Sequence, residues 1–308
     1  MRPVRTLLIY TGIVFLGGAL LAPWLYWSAQ SLTAQFPALQ RLADNPFHRY
    51  VNRSLLALAL IGLWPLLRGL GVRGWPDVGL VKPAGQWRKL AGGFAFGFAS
   101  LACLAGVVLA VGARGVNTDV SAGRLVGKVL SAALTAAVVA VLEEVLFRGA
   151  IFGALRKTCR WPTALVISSA LYALVHFLSK PQSPAEMNWA SGLALLPTML
   201  RGFVDFEQVV PGFFNLTLAG ALLALGYQRT GNLFFSIGLH AGWIFWLKSY
   251  GLLTREAAGA NVSFWGTSRL IDGWLALGVL SLALWLLSKR LPRAENTDAH
   301  STRRACLS

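Results

Sequence analysis

The chain has 308 residues, of which 56% are hydrophobic and only 13% are charged. This composition is too apolar for a soluble globular protein of such length, and it indicates an integral membrane protein in a lipid bilayer. The formal net charge of +16 also suggests nucleic-acid binding; however, the basic residues lie in short clusters between apolar segments and form no basic domain, so we expect no nucleic-acid partner.

A membrane-spanning helix needs about 20 mostly apolar residues. Eight segments fit this description, near 7–27, 54–71, 90–112, 129–152, 162–179, 208–228, 231–249 and 271–288. The first has no convincing cleavage site of small residues, so we interpret it as a retained span and not as a signal peptide. The sequence therefore predicts an all-α fold, a polytopic membrane helix bundle of about eight transmembrane helices in a single domain over 1–308.

The segment 180–207 differs from the spans around it. Pro181, Pro184 and Pro197 argue against one continuous helix here, because proline removes a backbone donor and clashes with the preceding turn. We expect an interfacial or re-entrant connection. After the last span, 290–308 is expected to be a flexible cytoplasmic tail. The basic residues are biased towards the side of the two termini, so the positive-inside rule predicts that both termini face the cytoplasm.

Ionisable residues inside the spans are rare. Of the 12 acidic residues, only Glu143 and Glu144 fall well inside a span, and His176 and His240 lie inside two others. A charged side chain at the centre of a spanning helix costs roughly 2.5–3.5 kcal/mol on insertion scales. The economical explanation is that these four groups meet in one polar site.

Helix geometry assigns different roles to the two glutamates. Glu144 and Arg148 are four residues apart, so they can form an ion pair along one helix face. Glu143 points about 100° away from that face. This pattern indicates a structural carboxylate beside a working carboxylate that could act as a general base. A purely structural ion pair, with histidines that only pack, is the alternative.

Two pairs of glycines four residues apart also lie in the spans. Gly149 with Gly153, and Gly238 with Gly242, place small residues on one helix face. Such pairs allow neighbouring helices to approach closely.

Three short motifs carry a resemblance to a known family. They are "EEVLFR" with Glu143, Glu144 and Arg148, "YALVH" with Tyr172 and His176, and "GLHAGW" with His240. In order, spacing and helical context, they resemble the CAAX protease and bacteriocin-processing (CPBP, or Abi) family over about 129–250. The resemblance implies a catalytic core in that segment, arranged as a conical helix bundle around an internal polar cavity. It also suggests a bacterial inner (plasma) membrane protein.

The resemblance implies a glutamate-dependent intramembrane endopeptidase. Glu143 would activate water with help from His176, and His240 would bind the oxyanion of the tetrahedral intermediate. Glu144 and Arg148 would hold the catalytic site in shape.

One position departs from the family pattern, which has Asn four residues after the third-motif histidine. Here that position is Ile244, so half of the expected oxyanion hole is missing. We consider Asn215 and Tyr172 as substrate or oxyanion contacts, and Asn215 as the replacement donor, because a spare amide in an apolar helix is costly unless it is paired. The other interpretation of Asn215 is that it caps or packs its helix.

Three alternatives to this function remain. Glu143, His176 and His240 have the ligand types of a zinc site, but no HExxH helix is present, so we expect no cofactor and keep zinc as the second choice. Glutamate and histidine could also form the proton relay of a transporter. A catalytically silent relative that binds a partner is the third. For the enzyme, the expected partner is a membrane-associated protein or peptide substrate.

Overall fold

A computed structural model of the chain describes residues 2–178, 186–204 and 206–291. Its regular structure is almost entirely helical, which confirms the predicted all-α membrane bundle. The α-helices in chain order are α1 (Arg2–Gly12), α2 (Gly18–Gln35), α3 (Gln40–Ala43), α4 (Phe47–Gly69), α5 (Trp87–Ala110), α6 (Ala122–Glu144), α7 (Gly153–Leu155), α8 (Trp161–His176), α9 (Ser191–Met199), α10 (Phe206–Thr230), α11 (Phe234–Leu253), α12 (Val262–Trp265) and α13 (Trp274–Arg290). Two π-helical segments, Ile13–Gly17 and Val145–Phe152, continue α1 and α6.

Three short 3₁₀ turns and one strand pair complete the described structure. The turns are Pro37–Leu39, Trp75–Val78 and Leu200–Phe203. Strands β1 (Arg114–Val116) and β2 (Thr254–Glu256) pair in antiparallel fashion, with Arg114 opposite Glu256.

A helix occupies each of the eight predicted spans, although not all of these helices are long and apolar. Five are long and apolar enough to cross a membrane, namely Arg5–Thr33, Phe47–Gly69, Trp87–Ala110, Ala122–Leu155 and Val209–Thr230. Helices α8 and α13 have only 16 and 17 residues, and α11 contains the polar residues His240 and Lys248. Membrane crossing by these three helices stays a prediction.

The chain divides into two compact units, and the prediction of a single domain stays untested. The first unit comprises Met1–Arg73 and Leu174–Val209. Within it, α2 packs on α4, and the fully buried Ser54 hydroxyl donates to the Gly18 carbonyl at 2.7 Å. A Cβ atom added to Gly192 of α9 would collide with the Ala19 carbonyl oxygen of α2. Small residues thus bring the helices of this unit into backbone contact.

The connection predicted over 180–207 is not one continuous helix in its described part. It forms the nine-residue helix α9, with Pro197 in its last turn, and then the 3₁₀ turn Leu200–Phe203. Pro181 and Pro184 lie outside the described residues, as does the predicted tail beyond 291. Whether the connection is interfacial or re-entrant stays open as a prediction.

The second unit comprises Gly74–Ala173 and Val210–Ser308, and α11 is its central helix. Helices α5 and α6 both pack against α11. Most of the side chains of α11 are buried, including Leu239, Trp243 and Ile244. Because α11 is surrounded by protein, it can carry polar side chains that a lipid-facing helix would not tolerate.

Candidate active site

The two glutamates of the first motif lie at the junction between two kinds of helix. Helix α6 ends at Glu144, and the π-helical segment Val145–Phe152 follows and contains Arg148. Within this segment Gly149 lies against Val78, so closely that an added Cβ would come within 2.8 Å of the Val78 Cβ. π-helical turns inside longer helices are frequent at functional sites. The sequence pattern predicts a regular α-helix here and contains no signal of this irregularity.

Glu144 and Arg148 form the predicted ion pair, and it is buried. Arg148 Nη1 donates to Glu144 Oε1 at 3.1 Å, and the side chains are 2% and 0% exposed. Arg148 Nη2 donates to the Gly220 carbonyl at 3.2 Å, and its guanidinium lies 4.5 Å from the ring centre of Tyr172. These contacts tie α6, α8 and α10 together, which is the arrangement expected of a structural pair.

His240 joins this ion pair from α11. Its Nδ1 is 2.9 Å from the same Glu144 Oε1 that faces Arg148. Its Nε2 is 3.3 Å from the Tyr172 hydroxyl and 3.8 Å from Glu143 Oε2. The imidazole is buried. By these distances it bridges the two glutamates of the motif.

Glu143 differs from Glu144 in its exposure. The Glu143 side chain is 28% exposed, whereas the Glu144 side chain is 0% exposed. A carboxylate that activates water has to be reachable by water and substrate, whereas one held by an arginine and a histidine is already committed. The structure thus separates two adjacent and chemically identical residues.

Close packing of two glycine-bearing helices positions His240. Gly238 and Gly242 flank His240 on α11; a Cβ on Gly238 would collide with the Leu90 carbonyl oxygen, and one on Gly242 would lie 2.6 Å from the Phe94 carbonyl oxygen of α5. The predicted close helix approach is therefore confirmed for this pair. The facing glycines of α5, Gly93 and Gly97, meet the backbone of α11 in the same way, and they belong to none of the motifs singled out in the sequence.

The other glycine pair behaves differently. Gly149 packs against the 3₁₀ turn that contains Val78, as described above, and not against another helix. Among the described residues, a Cβ on Gly153 would come near the Arg148 carbonyl oxygen of its own segment alone, at 3.6 Å. In the described residues, the close helix approach that this pair would allow is therefore not used.

The proposed replacement donor, Asn215, forms hydrogen bonds with the turn before α13. Its fully buried amide nitrogen donates to the Ile271 carbonyl at 2.9 Å and to the Gly273 carbonyl at 2.8 Å. An amide nitrogen has two hydrogens, so both are used to hold α10 against the turn that precedes α13. These two bonds favour the packing role of Asn215, and its assignment as an oxyanion donor stays a prediction.

The structure treats the two residues of the second motif differently. Tyr172 is 3% exposed and contacts both Arg148 and His240. His176 ends α8 one turn later, and its side chain is exposed. His176 belongs to the first unit, whereas Glu143 belongs to the second. The catalytic role of His176 therefore stays a prediction.

A metal centre was the second choice for the chemistry of this site. Among the described residues, no group of three or more His, Cys, Asp or Glu side chains has an arrangement that could hold a metal ion. The expectation of a metal-free site stays a prediction that requires a direct test.

The segment that contains these residues matches a known protein family. Residues 125–246 match the family model described as type II CAAX prenyl endopeptidase Rce1-like. No curated protein and no solved structure matches the chain significantly. The matched segment contains all three motifs and Ile244. Over residues 125–246 the chain therefore carries an Rce1-like domain of the CAAX protease and bacteriocin-processing family.

Proposed function

We propose that this protein is an intramembrane endopeptidase in which Glu143 activates water to hydrolyse a peptide bond of a membrane-associated protein or peptide. One observation carries the proposal. Glu144 is held by Arg148 and His240 in a buried pair, whereas the side chain of the adjacent Glu143 is 28% exposed, although its Oε2, 3.8 Å from His240 Nε2, is itself buried. Two carboxylates in different environments are typical of sites that divide catalytic and structural work.

In the proposed mechanism, Glu143 takes a proton from a water molecule as the water oxygen attacks the carbonyl carbon of the scissile peptide bond. The carbonyl oxygen becomes an oxyanion, which needs hydrogen-bond donors close to it. Protonated Glu143 then gives the proton to the leaving nitrogen as the C–N bond breaks, which releases a carboxylic acid and an amine. The family resemblance implies that His176 assists Glu143 in activating the water.

The description of the matched family suggests a first substrate to test. A farnesylated peptide that ends in a cysteine, two aliphatic residues and a variable residue is the matching probe, because the family description names a CAAX prenyl endopeptidase. An unprenylated peptide of the same sequence and an apolar transmembrane peptide complete the set. Product masses from purified protein in detergent or lipid would identify the cleaved bond.

Glu143→Gln is the decisive variant. It removes the base while it keeps the size and hydrogen-bonding shape of the side chain, so we expect cleavage to fall by at least about 10²-fold with an unchanged melting temperature. Glu256→Gln is a matched control, because Glu256 lies on β2 with a 53% exposed side chain. Full activity of Glu143→Gln would rule out the proposed base.

One observation supports a second candidate, a catalytically silent relative that binds a partner. Ile244 occupies the position of the family Asn, and the amide hydrogens of Asn215 bind two other carbonyls. If the unmodified protein cleaves none of the three probes, while a membrane protein copurifies with both it and Glu143→Gln, this second function is correct. A transporter would instead move protons or a solute in sealed vesicles without cleaving any probe.

Zinc dependence is tested separately. We expect elemental analysis to find less than stoichiometric zinc, and a chelator to leave cleavage unchanged, because the carboxylate itself activates water. Activity that is lost on chelation and restored by zinc would instead show a metalloprotease.

A further inference from the structure

We propose that the Tyr172 hydroxyl is the hydrogen-bond donor to the oxyanion in this protein, in place of the amide that the family pattern has at position 244. The inference rests on the proposed endopeptidase function. It makes Tyr172 a catalytic residue and His240 the residue that positions the Tyr172 hydroxyl.

The site needs such a donor because the other candidates are unsuitable. Ile244 has an aliphatic side chain, and the amide hydrogens of Asn215 both bind carbonyls near α13. In peptidases, loss of one oxyanion donor lowers kcat by about 10²–10³-fold. An active enzyme with this sequence therefore requires a donor other than these two residues.

The hydrogen bonds of His240 determine which of its nitrogens carries a hydrogen. Arginine is always charged in proteins, so the Glu144 Oε1 that accepts from Arg148 at 3.1 Å is the acceptor of an ion pair. His240 Nδ1, 2.9 Å from the same oxygen, must therefore donate its hydrogen to it. In the neutral imidazole the other nitrogen, Nε2, then has a lone pair and no hydrogen.

This tautomer assigns the direction of the contact between Tyr172 and His240. The hydroxyl of Tyr172 is 3.3 Å from Nε2 and donates to it. Glu143 Oε2 is 3.8 Å from the same Nε2, so the hydroxyl and the proposed base both lie near this nitrogen. With a neutral His240, the hydroxyl therefore has a hydrogen to offer at this point, whereas Nε2 has none.

The hydroxyl is held in place yet can change its acceptor. The Arg148 guanidinium lies 4.5 Å from the ring centre of Tyr172, and the Phe147 ring packs edge-on at 5.1 Å, so the ring is fixed. At 3.3 Å, the contact with Nε2 is long for a hydrogen bond. Because a bond to an ionised oxygen is about twice as strong as a neutral one, rotation of the O–H towards an oxyanion is favourable.

The test compares Tyr172→Phe with Tyr227→Phe in the farnesylated-peptide assay, with kcat and KM measured separately. Phenylalanine keeps the ring under Arg148 and removes only the hydroxyl. Tyr227 is a matched control outside the site, because it is also buried and stacked on an arginine, with the Arg156 guanidinium 5.0 Å from its ring centre. We expect Tyr172→Phe to lower kcat by about 10²-fold or more with little change in KM, and Tyr227→Phe to change kcat less than threefold.

A second variant separates catalysis from folding. Ile244 is buried one helical turn after His240, so Ile244→Asn supplies the amide of the family pattern. We expect Ile244→Asn to raise the kcat of Tyr172→Phe at least tenfold. A normal kcat in Tyr172→Phe would overturn this inference and leave the proposed endopeptidase function intact. The inference would also be overturned if Tyr172→Phe lowered both kcat and the melting temperature and Ile244→Asn did not restore kcat. Absence of cleavage by the unmodified protein would overturn the proposed function together with the inference.

Discussion

Replacing Arg148 by alanine removes the one cation that pairs with Glu144 in the described structure. Glu144 is 0% exposed, and its Oε1 accepts from Arg148 at 3.1 Å. Without Arg148, a carboxylate stays buried with only His240 beside it. Breaking a buried pair from one side costs about 3–5 kcal/mol of stability, because the remaining charge is left uncompensated.

The other contacts of Arg148 act in the same direction. Its bond to the Gly220 carbonyl, at 3.2 Å, joins α10 to the segment that follows α6. A hydrogen bond to a charged group contributes about 1.5–3 kcal/mol, but it shares the guanidinium with the ion pair, so the two values are not additive. We expect a total loss near the upper end of the 3–5 kcal/mol range, and a melting temperature lower by on the order of 10 °C.

Arg156→Ala is the matched control. Arg156 also stacks on aromatic rings and donates to Gln228 at 2.8 Å, but its side chain is exposed. An exposed arginine contributes about 1 kcal/mol or less.

Melting curves in detergent should be measured for both variants and for Glu144→Gln, alone and combined with Arg148→Met. The variant that combines Glu144→Gln with Arg148→Met should be more stable than Arg148→Ala, because it leaves no uncompensated buried charge. If Arg148→Ala melts within about 2 °C of the unmodified protein, the buried pair does not stabilise the fold as argued.

The remaining predictions concern packing and topology. Gly238→Ala should unfold the protein or abolish cleavage, because its Cβ would collide with the Leu90 carbonyl oxygen of α5, whereas Gly278→Ala, with nothing near its added Cβ, should behave normally; equal behaviour of the two variants would contradict the packing argument. Asn215→Ala should lower the free energy of unfolding by about 2 kcal/mol, since one buried and one partly buried carbonyl lose their donor, while kcat of the folded fraction stays unchanged. A selective loss of kcat would instead support a catalytic role for Asn215. Cysteine labelling of the two ends should place both on the cytoplasmic side, and opposite sides would contradict the charge argument.

The ion pair could be predicted from the sequence, because it follows from local helix geometry, whereas the choice of Glu143 as the working glutamate stays a prediction. Glu144 and Arg148 are four residues apart on one helical segment, and they form the expected bond. Helix periodicity places Glu143 on a different face, and its greater exposure agrees with that. The π-helical segment did not disturb this pair, although periodicity alone gave no sign of it.

The fate of Asn215 could not be predicted in the same way. Its amide could serve a substrate or another part of the protein, and only the fold shows that the turn before α13 presents the Ile271 and Gly273 carbonyls to it. The sequence separation of the bonded residues is 56 and 58. No local pattern encodes a contact over that distance.

The sequence by itself determined that the protein is a membrane helix bundle and which ionisable residues lie within it, because hydropathy and the cost of burying charge act residue by residue. Only the tertiary structure decided how those residues are connected. The contact of His240 with Glu144 spans 96 residues, and that of Tyr172 with His240 spans 68. Both contacts depend on how closely α11 packs against its neighbours, and that packing is set by glycines whose partner backbones lie on another helix. Packing between distant segments is a property of the whole fold. For this reason, only the tertiary structure shows which side chains of the site are hydrogen-bonded to one another.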